Sequence, residues 1–313
     1  MITIIIPTRN RGYTLERVAS SYFTQKNVSE IIFVDDAGDD NTESLVASFA
    51  KTYPNILTKY IRHSFRQGAS AARITGYENC SNEYILFGED DAYLDENYAV
   101  TLHSKITLSE EPIHIISGRI IYMEPAELRQ AAKQRFGIGI NRKKYLNKKV
   151  FGFNPDAVFS GDLSVPFTHA LFLTSKSLLN QLKYDPHYGK GSGYREETDF
   201  QMNAFVNDFK IVVTNDTHCF HLHTQDVQTG GQRVNKLKKL YWCIIYTNYF
   251  YDKYYNLFRP KLGLRSSRMA AKFYFAVYQT YSILLRPALR PTINVTLKAV
   301  LSPIKRLMKS RQF

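Results

Sequence analysis

The chain has 313 residues, 44% of them hydrophobic and 22% charged, which is enough apolar material for a sizeable core and excludes a disordered polyelectrolyte. Its net charge of +13 is unevenly spread: residues 233–313 hold 17 Lys or Arg against one acid, Asp252, while the remainder carries 24 basic and 27 acidic groups. Cys80, Cys219 and Cys243 are too few and too far apart for a disulfide framework or a cysteine-held metal, and they fit a reducing compartment.

Residues 2–6, an isoleucine-rich run with no signal-peptide zoning, predict a strand buried on both faces and a cytoplasmic chain. Residues 13–24 place Leu15, Val18, Ala19 and Tyr22 at helical spacing, and 30–34 predict a second strand ending at Asp35-Asp36. Asp40 followed by Glu43 has the form of a capping box ahead of Leu45, Val46 and Phe49. Residues 56–61 read as a strand, 69–79 as a helix and 83–87 as a fourth strand. This alternation with short links predicts a doubly wound, mainly parallel α/β sheet flanked by helices. Further on, the basic stretch 129–149, with Gly137 and Gly139, reads as a surface loop, and 168–174 as a strand. Residues 176–182 predict a helix, a second follows the glycine-rich turn at 189–193, and 209–214 form the last strand. No repeat of solenoid or propeller period is present.

Ligands in such sheets sit beyond the carboxyl ends of the strands. Three of those ends are polar here: Pro7-Thr8-Arg9-Asn10, Asp35-Asp36 and Glu89-Asp90-Asp91. Three adjacent carboxylates repel one another and persist where a cation offsets the repulsion. A divalent metal carrying a diphosphate meets that need, because hard cations take carboxylate and phosphate oxygens.

Ile4-Ile5-Ile6-Pro7-Thr8-Arg9-Asn10, Val34-Asp35-Asp36, Glu89-Asp90-Asp91 and Arg195-Glu196-Glu197-Thr198-Asp199-Phe200 together resemble, in order and spacing, the motifs of family 2 glycosyltransferases. The resemblance covers residues 1–225 and implies a GT-A, Rossmann-like fold and inverting transfer from a nucleotide-diphosphate sugar. It implies that Pro7, Thr8 and Arg9 line the nucleotide site, with Asp35 or Asp36 accepting a hydrogen bond from the base. Uracil, thymine and guanine all offer such a donor, and a UDP-sugar is favoured. Arg66, Gly68 and Arg73 resemble the family segment near the nucleotide. Asp90 would face the ribose and Asp91 the metal, Mn²⁺ or Mg²⁺, with Glu89 departing from the usual Asp-x-Asp pattern. Glu197 falls where the family has its base, with Glu196 and Asp199 in reserve. His221 or His223 would complete the metal site.

Beyond residue 230 the chain changes character. Basic residues interleave with aromatics such as Tyr241, Trp242, Tyr246 and Phe250, and apolar runs are too short to span a bilayer. No nucleic-acid module is recognisable. A catalytic domain over 1–230 and a basic helical extension over 231–313 are therefore expected, the extension lying on an anionic membrane or packing its aromatics on the catalytic domain. Pro287, Pro291 and Pro303 divide its end into short helices. Trp242 follows Lys238-Lys239-Leu240-Tyr241 instead of completing the Gln-x-x-Arg-Trp of processive synthases, which favours addition of single sugars to a glycan or lipid-linked acceptor. Two rivals remain at this point: a silent glycan- or membrane-binding protein on the same scaffold, and a sugar nucleotidyltransferase. The latter usually opens with a glycine-rich phosphate loop, where this chain has Pro7-Thr8-Arg9.

Overall fold

The computed structural model describes residues 1–138, 144–191, 193–230 and 234–287. Its first half consists of β1 (Ile2–Thr8), α1 (Gly12–Val18), α2 (Ser20–Phe23), β2 (Val28–Asp35), α3 (Thr42–Thr52), β3 (Leu57–Arg62), α4 (Ala69–Glu78) and β4 (Tyr84–Phe87). These strands pair in parallel in the order β3-β2-β1-β4. Alternate side chains of β1 enter different cores: Ile2, Ile4 and Ile6 lie with Leu15, Tyr22 and Phe33, whereas Ile5 lies with Ile32, Val34 and Phe87. Burial on both faces explains why the run is continuously apolar instead of alternating. α4 packs closely on β1, so a Cβ at Gly76 would come within 2.3 Å of Ile5 Cγ2.

The second half adds β5 (Ala92–Leu94), α5 (Tyr98–Leu108), β6 (Ile115–Tyr122), α6 (Arg129–Ile138) and a ribbon of β7 (Leu146–Asn147) and β8 (Gly152–Phe153). β9 (Asp162–Ser164), β10 (Leu173–Ser175), α7 (Lys176–Gln181), a 3₁₀ turn over Pro186–Gly189, α8 (Glu196–Val206) and β11 (Ile211–His221) follow. β10 inserts antiparallel between β4 and β6; β11 runs parallel to β6 and antiparallel to β5 and β9. The result is the expected α/β sheet flanked by helices, with its parallel half carrying the polar strand ends.

Three local expectations are corrected. Asp40 does not cap α3 in a capping box: its Oδ1 accepts from Thr42, while its Oδ2 accepts the Gly12 N–H at 2.7 Å and so anchors the start of α1. The stretch 129–149 is not a loop throughout, because 129–138 form α6. Ala132 buries in the core, the Arg129 guanidinium lies over the Tyr93 ring, and Arg135 pairs with Glu127. Gly139 lies outside the described residues. Of 168–174, only the end is strand: Thr168 donates its N–H to the Gln201 side chain and the His169 ring bonds the Gly118 carbonyl, so side chains replace the ladder there.

The extension contains α9 (Lys236–Lys261) and α10 (Arg268–Thr280), the latter passing into a π-helical turn over Tyr281–Leu285. One face of α9 builds a third core, in which Phe250, Tyr251, Tyr255 and Phe258 pack with Phe151, Phe167 and Met202. Each such burial stabilises by about 1.5–3 kcal/mol. The inner aromatics of α9 therefore pack on the catalytic part, one of the two alternatives. Among the described residues, no helix is long and apolar enough to cross a membrane. Pro287 stands just past the π turn, while Pro291, Pro303 and residues 231–233 at the expected domain boundary lie outside the described residues.

Candidate active site

A cleft of about 540 Å³ opens at the carboxyl ends of β1, β2 and β4. Pro7, Thr8, Arg9, Asp36, Arg66, Gly68, Arg73 and Asp90 all line it. The two candidates for the base contact separate here. Asp35 lies beneath the cleft, its carboxylate accepting the Gly38 N–H at 2.8 Å and the Tyr60 hydroxyl at 2.7 Å. Asp36 lines the cleft and accepts the N–H groups of Gln67 and Gly68 at 2.7 and 2.8 Å, with the His63 ring at 3.0 Å. Gly68 has a φ of +93°, and a Cβ there would stand 2.5 Å from the Gly189 carbonyl oxygen, so the chain needs glycine at this crossing. Arg66 donates to the Gly191 carbonyl at 3.0 Å, joining the segment before α4 to the turn before α8.

The acidic triplet divides its labour. Asp90 Oδ1 accepts from Arg11 at 2.5 Å, and the same guanidinium nitrogen reaches Asp91 Oδ2 at 3.1 Å. Burial disfavours the charge on Arg11, yet the two carboxylates more than offset it and raise its pKa. Glu89, Asp91 and His221 each bring a ligand atom to a common locus, all within 4.8 Å of one another. His221 stands at the end of β11, with Nδ1 2.8 Å from the Leu222 carbonyl and Nε2 3.3 Å from Asp91 Oδ1. With the proton on Nδ1 donated to that carbonyl, Nε2 presents the lone pair a metal needs. The Leu222 N–H in turn binds the Asp91 carbonyl at 2.9 Å, fixing the two strand ends together. His223 lies outside this group, and its Nδ1 accepts the Gln225 N–H at 3.1 Å. Two carboxylates and an imidazole suit Mn²⁺ or Mg²⁺, so the donor set fits the expected ion.

The acids of α8 occupy three different surroundings. α8 starts after Arg195, a residue with φ of +75°, whose guanidinium is buried against Thr247 of α9 and the Val150 and Phe151 carbonyls. Glu196 lines the cleft, paired with the buried Arg73 and accepting the Ser70 hydroxyl at 2.9 Å. Glu197 has its pKa pushed up to about 7, first by burial and then by the neighbouring Glu196 charge; Arg73 opposes the shift and Glu89 adds to it. Glu197 is not itself among the residues that line the cleft. Asp199 does not join the cleft: it accepts from Tyr188 at 2.9 Å, Lys253 at 2.8 Å and Tyr254 at 3.3 Å, tying α8 to α9.

Sequence reasoning passed over Arg11 and left Glu89 without a role. Arg11 is a second cation two residues past Arg9 on the same turn, a signal that was present but not distinctive. Glu89 becomes a ligand candidate only because the end of β11 lies beside it.

A mainly parallel α/β sheet with a nucleotide-sized cleft at its strand ends and an acid-imidazole group beside it defines the GT-A class of transferase. The model for Glycosyl transferase family 2 matches residues 3–164, just over half of the chain, and the protein belongs to that family. It is 25% identical over 236 residues to the GalNAc(5)-diNAcBac-PP-undecaprenol beta-1,3-glucosyltransferase of Campylobacter jejuni, covering 75% of this chain and 69% of that one. The chain spans 15% and 30% of the length of two other curated relatives it matches. Among solved structures, residues 1–349 of S. aureus TarS with UDP-GlcNAc superpose with a TM-score of 0.57 at 13% identity, over 93% of this chain and 77% of that fragment. The mannosyltransferase PcManGT of Pyrobaculum calidifontis, with GDP-Man and Mn²⁺, gives 0.55 at 15% identity, over 98% and 83%. These likenesses carry the fold.

Proposed function

We propose that the protein moves one sugar at a time, with inversion, from a nucleotide-diphosphate donor to a glycan or lipid-linked acceptor in cell-surface polysaccharide or glycoconjugate synthesis. A UDP-sugar is the favoured donor. The observation that carries this reading is the meeting, around one cleft, of Asp36, the Glu89-Asp91-His221 group and Glu196 of α8, with Glu197 the next residue of that helix. The C. jejuni relative, named for a lipid-linked substrate, supports the acceptor class.

In this mechanism Asp36 receives the base, and Pro7, Thr8 and Arg9 bound the nucleotide where β1 ends. Arg66, Arg73 and Asp90 complete that wall. Glu89, Asp91 and His221 would hold Mn²⁺ or Mg²⁺, which neutralises the charge that grows on the departing nucleoside diphosphate. Glu197 takes the proton from the acceptor hydroxyl as its oxygen attacks the anomeric carbon opposite the leaving phosphate. A carboxyl with a pKa of about 7 is half ionised near neutrality, which suits a base that must both accept and release a proton. Glu196 is held beside Glu197 by Arg73 and Ser70, and after burial it is the main cause of the raised pKa of Glu197. Asp199 serves the α8–α9 junction in this scheme.

Residues 1–230 would form the catalytic domain, and the basic extension would keep the enzyme on the inner, anionic face of the cell membrane. The test is a screen of nucleotide sugars with Mn²⁺ and an acceptor extract, reading the nucleotide product. Release of nucleoside diphosphate, lost in Glu197→Gln, is the expected result. Release of pyrophosphate would mark a nucleotidyltransferase, and donor binding without turnover a silent scaffold; either sinks the reading.

A further inference from the structure

The outer face of α10 is unlike an ordinary solvent-facing surface. Its inner face is accounted for: Phe275 is buried, its ring 6.4 Å from that of Tyr251 in the third core, and Lys272 reaches Asp252 of α9 at 2.7 Å. On the other side, Met269, Phe273, Val277, Tyr281 and Leu285 recur every fourth residue and are 69%, 73%, 52%, 48% and 51% exposed. Tyr274 and Tyr278 stand beside them, also exposed. Between Lys272 and Arg286 there is no charged residue. Single exposed apolar side chains are common on soluble proteins, but an uninterrupted stripe about 20 Å long marks a surface that another apolar phase covers.

The surrounding charge selects that phase. Arg259, Lys261, Arg265, Arg268, Lys272 and Arg286 lie along and around α10, with no acid from 259 to 286; Lys261 pairs with Asp208 and Arg268 and Lys272 with Asp252, which leaves the segment with a net positive charge. Pairing two copies of this face would bring those like charges together, whereas an anionic lipid surface attracts them at roughly 1 kcal/mol per residue close to the bilayer. Since no described helix can cross a membrane, the fit is a helix lying in the interface. Tyrosine rings suit that depth, with an apolar body and a polar tip, and the long Lys and Arg side chains reach back to the headgroups.

Resting on the membrane association proposed above, we propose that the Met269-Phe273-Val277-Tyr281-Leu285 face of α10 is the membrane-inserting surface of this protein. This fixes which side of the enzyme meets the bilayer, and hence from which side a lipid-linked acceptor approaches. Both central side chains are exposed, so replacing them leaves the core intact.

The test uses the full chain, co-sedimented with phosphatidylcholine vesicles and with vesicles containing 30% phosphatidylglycerol, for the native protein and F273S/V277S. Native binding to anionic vesicles should weaken roughly 30-fold or more in the variant, given the apolar burial lost at two positions. Transfer to a water-soluble acceptor should be unchanged, which separates this surface from the catalytic reading. Equal binding by both proteins would overturn the assignment of the face while leaving membrane association standing. Absence of native binding to either vesicle would overturn both. A native dimer that F273S/V277S converts to monomer, without vesicle binding, would make the stripe a contact between copies and also overturn the proposal.

Discussion

Removing Arg73 tests the electrostatic architecture of the cleft. Its side chain is 5% exposed and that of its partner Glu196 7%, so the pair is almost fully withdrawn from water. In Arg73→Met, Glu196 would lose its buried cationic partner and retain the Ser70 hydroxyl as its remaining described side-chain partner. An uncompensated buried charge of this kind costs about 3–5 kcal/mol, a large share of the roughly 5–15 kcal/mol that stabilises a domain. Urea denaturation should show the midpoint falling with the slope unchanged. The double variant Arg73→Met/Glu196→Gln should regain most of the loss, because the orphaned charge is gone. A second consequence is functional: Arg73 lowers the pKa of Glu197, so its removal should move the acid limb of the rate profile above pH 7. A stability loss under about 1 kcal/mol would refute the burial argument. An unmoved acid limb would refute Glu197 as the titrating base.

Three further outcomes are expected. Glu197→Gln should lose about 10²–10⁴-fold in turnover. The variant should also be more stable than the native protein at pH 8 by about 1–3 kcal/mol, and equally stable below pH 4.5. The sign follows from the raised pKa: between 4.5 and about 7 the folded state holds a proton that the unfolded chain releases, so native stability is full below 4.5 and declines as pH rises through 7. Asp91→Asn and Glu89→Gln should each weaken Mn²⁺ binding by roughly tenfold or more, read by electron paramagnetic resonance without donor, while His223→Ala leaves it unchanged. Gly68→Ala should cost about 1–3 kcal/mol in thermal unfolding, since alanine is strained at a φ of +93° and its Cβ meets the Gly189 backbone.

Strand positions in the first half were legible because burial on both faces demands continuous apolar runs, as in β1 and β2. The same logic failed at 168–174, where side-chain bonds from Gln201 and His169 stand in for strand pairing and leave no periodic trace. It failed at α6 as well, since among its described side chains only Ala132 is buried and Phe136 partly so, and a helix with so little apolar periodicity reads like a loop. The split between Asp35 and Asp36 was also hidden, because adjacent residues at a strand end turn to opposite sides and only their partners show which one reaches the cleft.

By itself the sequence determined the order of strands and helices over residues 2–87, the family, and the acids and histidines from which a donor site could be assembled. Motif residues and hydrophobic period are properties of short stretches, and they survive without knowledge of what lies beside them. Tertiary structure alone decided that Glu89 joins Asp91 and His221, that Asp90 turns to Arg11, and that Asp199 belongs to the α9 junction. Those assignments depend on groups up to 132 residues apart in the chain meeting within a few ångströms, and pairwise distances of that kind are set by how the sheet closes, not by any local pattern.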